Sequence, residues 1–188
     1  MGRRLLMLGP PGAGKGTQAK TLARAFGIPH ISTGDLFRAA IAAGTELGRK
    51  VEGILASGEL VTDDVTNAIV VERLGEPDVV CGYLMDGYPR TRVQAEAFLA
   101  ARAPEEDFDA VVLLEASEDA LVERLLQRAA AEDRPDDTED VIRRRFAVYR
   151  EQTEPLVDYY RRRGLVREVP GEGTIDEVLT AIVLALAG

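Results

Sequence analysis

The chemistry of this chain begins in one short stretch. GPPGAGKGTQ, residues 9–18, sets Gly9, Gly12, Gly14 and Gly16 around Lys15 with the spacing G-x-x-x-x-G-K. Glycines let backbone N–H groups converge on phosphate oxygens without side-chain clashes, and a following helix adds the positive end of its dipole. Lysine brings a mobile point charge to the outer phosphates. In such loops Ser or Thr usually follows the lysine and binds Mg²⁺ through its hydroxyl; here Gly16 does, with Thr17 next. That departure predicts a metal held chiefly by nucleotide oxygens and water, because Mg²⁺ parts with water reluctantly. Asp86, at the end of the apolar YLMD, is the candidate acceptor for those waters, with a turn or capping aspartate as the plain alternative.

A phosphate loop alone suits a GTPase, a motor or a transporter ATPase. A set of arginines at separate points narrows the choice: Arg38 in STGDLFR, Arg90 in DGYPRT, Arg124 and Arg128 in ERLLQR, Arg134 in RPDD and Arg145 in RRRF. Arg124 and Arg128 lie four apart, on one face of a helix. Planar, permanently charged guanidinium groups bind phosphate through paired hydrogen bonds and suit a site where two phosphorylated groups meet. The sole histidine, His30, reads as structural. Arg143, Arg144 and the 161–163 run read as a solvated, salt-bridged helix face, Tyr159 and Tyr160 as packing, and Cys81 as a small buried apolar residue.

These residues need a frame. RLLML (4–8), IPHIS (28–32), VVCGYLMD (79–86), FDAVVLLEA (108–116) and LVREV (165–169) read as strands. Helical spacing runs over 15–26, from Ser32 or Thr33 onward, over 46–56 and 63–74, from about Thr91, after Ser117, from Val141 to about Arg163, and at the end. Thr174 with Glu177 predicts a capping box. Strands alternating with helices predict an α/β fold with a parallel sheet covered on both faces. The stretch 32–62 exceeds what a crossover needs, and 129–137 is a polar stretch between helices; both predict excursions over the carboxyl edge of the sheet, where ligands bind.

The 188 residues predict one domain, and 46% hydrophobic with 29% charged residues is ordinary for a globular chain. The net charge of −9 argues against general nucleic-acid binding, which needs a positive surface. No apolar run reaches the roughly 18 residues of a membrane span, and the short apolar start predicts no secretory leader. A single cysteine excludes an intramolecular disulfide framework or a four-cysteine zinc site. The expectation is a cytoplasmic protein with no membrane or nucleic-acid partner.

GPPGAGKGTQ, ISTGDLFR, GELVTD, MDGYPRT followed by Gln94, RPDDTEDVIRRR and GEGTIDEV resemble, in order and spacing, the adenylate kinase family from Gly9 to the last helix. The resemblance implies a P-loop fold with a five-stranded parallel sheet flanked by helices. It also implies a helical insertion that binds the nucleoside monophosphate (about 32–61) and a short lid without zinc (about 127–137). The implied activity is reversible, Mg²⁺-dependent transfer from ATP to AMP, giving two ADP, by a monomer whose partners are small nucleotides.

By that resemblance Gly12, Ala13, Gly14, Lys15, Gly16 and Thr17 contact ATP phosphates, and Arg124, Arg128 and Gly173 lie around ATP. Thr33, Arg38, Glu59, Leu60, Val61, Gly87, Tyr88, Pro89, Arg90 and Gln94 form the AMP pocket. Arg134 and Arg145 close over the phosphates and also reach AMP, and Asp136 and Asp137 match lid carboxylates. Lys15, Arg90, Arg128, Arg134 and Arg145 are the implied catalytic set, with Asp86 reaching Mg²⁺ through water. Gln94, able to pair a donor and an acceptor with an adenine edge, favours AMP with Thr33. The rivals are a UMP/CMP kinase and a P-loop ATPase without a nucleotide acceptor.

Overall fold

The computed structural model describes residues 3–101, 107–131 and 138–188, with 128–131 described by backbone alone. Five parallel strands form one sheet in the order β2-β3-β1-β4-β5: β1 (Arg3–Leu8), β2 (His30–Ser32), β3 (Gly82–Asp86), β4 (Ala110–Glu115) and β5 (Val166–Pro170). Helices α1 (Lys15–Phe26), α2 (Thr33–Ala42), α3 (Glu46–Ala56), α4 (Asp63–Leu74), α5 (Arg92–Ala100), α6 (Glu118–Ala131), α7 (Glu139–Val148), α8 (Pro155–Arg161) and α9 (Ile175–Ala187) complete it. Among the described residues, no helix is long and apolar enough to cross a membrane.

Alternation in β1 divides the core. Leu5 and Met7 face a cluster with Leu22, Leu121, Leu125, Val178 and Ile182, hence with α1, α6 and α9. Leu6 and Leu8 face Tyr83, Met85, Phe98, Phe108, Leu156 and Tyr160, hence α5 and α8. Both faces are covered, so the strand reads as a continuous apolar run. Leu22 is fully buried, and truncating such a side chain to alanine costs about 2–5 kcal/mol. A smaller cluster of Phe37, Val51 and Val61 holds α2, α3 and the approach to α4 together.

Three expectations are corrected. The strand expected over 79–86 starts only at Gly82, after a short 3₁₀ turn, Pro77–Val79, with Gly82 paired opposite Arg3 of β1. Cys81 therefore precedes the paired ladder and is exposed, not buried. The helix expected from Val141 to Arg163 is interrupted by a π-helical turn, Tyr149–Thr153, in which Glu154 N–H reaches the Tyr149 carbonyl at 2.8 Å. Pro155 explains it: proline has no N–H to donate and its ring clashes with the carbonyl four residues earlier, so the chain takes a wider turn and restarts with Pro155 at the head of α8.

Because β1 lies between β3 and β4, the carboxyl ends of β1 and β3 are adjacent, with Met7 opposite Asp86. The segments leaving these two strands must open onto the same rim.

Candidate active site

The glycine loop leaves β1 at that rim. Gly12 adopts φ +82°, and a Cβ there would lie 2.7 Å from the Leu121 carbonyl oxygen, so both backbone shape and contact with α6 demand glycine. Lys15 Nζ donates to the carbonyl oxygens of Gly9 and Pro10 at 2.7 and 2.8 Å, fixing a positive charge over the loop. Ala13 is buried, whereas Gly14 and Thr17 are exposed. Helix α1 follows Gly14, its N-cap, with no side-chain cap and no acidic residue in its first turn. By contrast α2, α3, α5, α7 and α9 each start on a Ser or Thr oxygen that accepts a backbone N–H. An uncapped, acid-free helix start behind a glycine loop fits an external anion.

Asp86 ends β3 beside this loop. Its Oδ2 lies 3.5 Å from the position a Cβ on Gly16 would occupy, so the glycine after Lys15 leaves the carboxylate room to approach α1. Burial opposes its charged form, but His30, Lys15 and Arg90 outweigh burial and hold the carboxyl below the ordinary carboxylate range. His30 Nε2 stands 3.6 Å from Oδ2, beyond hydrogen-bond distance but close enough to favour the anion. Among the described residues no group of three or more His, Cys, Asp or Glu could hold a metal ion.

The segment after Asp86 builds a second pocket, with arginine at its wall. The Gly87 carbonyl accepts from Thr33 Oγ1 at 2.8 Å and from Arg90 Nε at 2.9 Å. Burial draws the Arg90 guanidinium below its usual value; Arg145 and Arg38 act the same way through repulsion, and Asp86 opposes them. Three arginines close enough to repel one another make a place for a polyanion. Arg38 is meanwhile held by Asp35 at 2.6 Å. The pocket is lined by Thr33, Phe37, Glu59, Leu60, Val61, Gly87, Arg90 and Gln94, pairing an apolar wall with polar groups. Tyr88 and Pro89 are buried behind it, and the Tyr88 hydroxyl donates to Asn67 Oδ1 at 2.7 Å.

Gln94 is 2% exposed and already engaged. Its Oε1 accepts from the Arg90 N–H at 2.7 Å, and its Nε2 donates to Asp63 Oδ1 at 2.8 Å.

On the other side of the loop, Arg124 Nη1 donates to the Gly171 carbonyl at 2.8 Å and steadies the segment carrying Gly173, which has φ +126°. The capping box of Thr174 and Glu177 forms as expected. Gln18 Nε2 donates to the Ile175 carbonyl at 3.0 Å, tying α1 to the same segment.

Arg145, on α7, has its Cγ 3.3 Å from the position a Cβ on Gly58 would take, so α7 packs against the entrance to the pocket. The Arg128 side chain, Arg134, Asp136 and Asp137 lie outside the described residues, as does most of the expected lid.

Four residues escaped the sequence reading. Asp63 looks like an ordinary acidic helix start, Thr91 like a helix cap, Gln18 like a helix residue and Arg144 like solvated surface. Thr91 does cap α5, and the structure also links Thr91 to Asp63 at 3.0 Å and Arg144 to Glu59 at 2.6 Å. Arg143 and Arg161 do pair on the surface, with Glu139 and with Asp158 and Glu168.

A larger cleft, about 440 Å³, runs past Pro10, Glu115, Glu154 and Asp158. Among the described residues lining it, the one cationic side chain, Arg161, is taken by two carboxylates, which does not suit a phosphate.

Residues 7–165 match the family model for adenylate kinase. An adenylate kinase of Nocardioides sp. (strain ATCC BAA-499 / JS614) is 54% identical over 184 residues, covering 97% of this chain and 96% of the relative. Adenylate kinases of Clavibacter michiganensis subsp. michiganensis and Thermobifida fusca are 51% and 46% identical, over 98% and 97% of this chain and 93% and 97% of the relatives. Motif order, sheet order and near-complete alignment converge on one conclusion: this chain belongs to the adenylate kinase family.

Proposed function

We propose that the chain transfers the terminal phosphoryl group of ATP to AMP, reversibly and with Mg²⁺, giving two ADP. One observation carries the reading. Asp86 reaches toward Gly16 of the glycine loop, while the next residue, Gly87, receives Thr33 and Arg90 of the arginine pocket. Two anion sites thus share the end of one strand, as required when a triphosphate and a monophosphate must touch.

In this reading the loop from Gly12 to Thr17 holds the ATP phosphates, with Lys15 on the outer ones, and Arg124, Arg128 and Gly173 flank the nucleotide. Thr33, Arg38, Glu59, Leu60, Val61, Gly87, Tyr88, Pro89, Arg90 and Gln94 form the AMP pocket. Arg90, Arg128, Arg134 and Arg145 oppose the charge that gathers on the transferred group. An AMP phosphate oxygen attacks in line, so catalysis is positioning plus electrostatic stabilisation. The insertion 32–61 and the lid 127–137 belong to one domain and keep water, the competing nucleophile, from the reacting phosphates.

Asp86, buried and held in its charged form, fits a water-mediated partner for Mg²⁺, whose remaining ligands are nucleotide oxygens and water. The metal supplies charge neutralisation on the phosphate oxygens. The acidic chain, net charge −9, supports a cytoplasmic monomer that works on free nucleotides and stays off nucleic acid.

The test is a coupled assay of ADP formation from ATP and AMP, with Mg²⁺ and with EDTA. Transfer that needs both AMP and Mg²⁺ supports the reading. Phosphate release independent of AMP would replace it with an ATPase, and preference for UMP or CMP with a pyrimidine nucleotide kinase.

A further inference from the structure

We infer that Asp63 is a positioning residue for base selection, because it fixes which way round the Gln94 amide faces; this rests on the reading of the Gln94 pocket as the acceptor-nucleotide site. A glutamine amide has two donor hydrogens on nitrogen and two acceptor positions on oxygen. Gln94 commits one of each. Its Nε2 donates to Asp63 Oδ1 at 2.8 Å, and its Oε1 accepts from the Arg90 N–H at 2.7 Å. Neither partner can exchange roles: a carboxylate only accepts and a backbone N–H only donates. Reversing the amide would set its oxygen against a carboxylate and its NH₂ against an N–H.

One N–H and one acceptor position remain on Gln94, which lines the pocket. Their order is therefore set before any base arrives. An adenine edge presents N1 as acceptor beside the N6 amino donor, and this fits an amide that faces one way. A guanine edge presents N1–H as donor beside O6 as acceptor, the opposite order; uracil shares guanine's order and cytosine shares adenine's. A free amide could turn to suit either. Asp63 and the Arg90 N–H together prevent the turn, and Asp63 is itself held. Thr91 Oγ1 donates to the same Oδ1 at 3.0 Å, and Asp63 is the first residue of α4, anchored by the buried Val61 and Thr66 on either side. Specificity thus comes partly from a residue that does not touch the base, through the cost of leaving a buried polar group wrongly paired.

The test uses Asp63→Asn in the full chain, since asparagine keeps size and helix start but offers both a donor and an acceptor. Steady-state kinetics are measured with AMP, GMP, UMP and CMP at saturating ATP·Mg²⁺, in the Gln94 and Gln94→Ala backgrounds. In the Gln94 background, KM for AMP should rise about tenfold with kcat within about threefold. The GMP-to-AMP and UMP-to-AMP ratios of kcat/KM should rise about tenfold, and the CMP-to-AMP ratio should stay put. In the Gln94→Ala background, Asp63→Asn should leave every ratio unchanged. Unchanged ratios in the Gln94 background, or equal shifts in both backgrounds, would overturn the role of Asp63. If the unsubstituted chain makes ADP from AMP in the same assay, that result leaves the acceptor-site reading standing. If it neither turns over nor binds AMP by calorimetry, the site reading and this inference fall together. KM for ATP, unchanged in Asp63→Asn, separates the effect from a loss of fold.

Discussion

Arg144 Nε donates to Glu59 Oε1 at 2.6 Å, joining two residues 85 positions apart in sequence. Glu59 lines the arginine pocket and Arg144 lies on α7, so the pair bridges the pocket wall to the helix that follows residues 132–137. Both side chains are substantially exposed, at 50% and 38%. A pair so open to solvent is worth at most about 1 kcal/mol and is screened by salt. Arg144→Ala should therefore raise KM for AMP by no more than about fivefold, with kcat unchanged, and the difference should vanish at high salt. Kinetics across an ionic-strength series will check this.

Arg90 presents the opposite case, a half-buried cation among other cations. On the proposed function, its removal would take away charge stabilisation that grows as the phosphoryl group transfers, where single donors contribute about 10²–10³ in kcat. Arg90→Ala should lose at least that factor, and Arg90→Lys should recover only part, because an ammonium lacks the planar fork. Single-turnover rates with saturating nucleotides, alongside thermal melts, test the claim. A variant that melts normally and turns over normally would remove Arg90 from catalysis.

Gly12 predicts a stability effect. Its φ of +82° and a Cβ position 2.7 Å from a backbone oxygen leave no easy relaxation. Gly12→Ala should cost about 1–3 kcal/mol, or several degrees in melting temperature for a domain of this size. Gly14→Ala meets no neighbouring atom within 4 Å and carries only the backbone term, at φ +85°. Scanning calorimetry of the two variants should rank Gly12→Ala as the more damaging.

The pH response at the alkaline end follows from three tyrosines. Burial raises the Tyr88 and Tyr160 phenols well above their usual value and pushes Tyr149 up to about 12. Between pH 10 and the folded values, the unfolded chain releases protons that the folded chain keeps, so stability falls as pH rises. Each fully buried phenol steepens the loss by up to about 1.4 kcal/mol per pH unit. Denaturant melts from pH 8 to 11, with tyrosinate absorbance followed in parallel, should show ionisation of these groups coincident with unfolding. Titration of all five tyrosines in a still-folded chain would contradict it.

Much of the site was legible because its chemistry is local. Lys15 and its glycines are contiguous and report themselves by spacing, while Asp86 through Arg90 form one turn after an apolar strand, a run short enough for the family resemblance to pick out. The parallel sheet followed from apolar runs alternating with helical spacing. What stayed hidden depends on distant partners. Asp63 and Gln94 are 31 positions apart, Glu59 and Arg144 are 85, and Gln18 and Ile175 are 157. No periodicity announces such pairs. The π turn at Tyr149–Thr153 was hidden differently: the apolar spacing persists across it, and Pro155 alone betrays the break. Cys81 is exposed because the apolar run at 79–81 belongs to the 3₁₀ turn and the residues after it, ahead of β3.

The bare start of α1 has a consequence for the molecule's lifetime. On the proposed reading, nucleotide phosphates supply to its first turn what α2, α3, α5, α7 and α9 draw from a Ser or Thr of their own. Nucleotide would then act as a structural component as well as a reactant, and its binding would make the chain more durable.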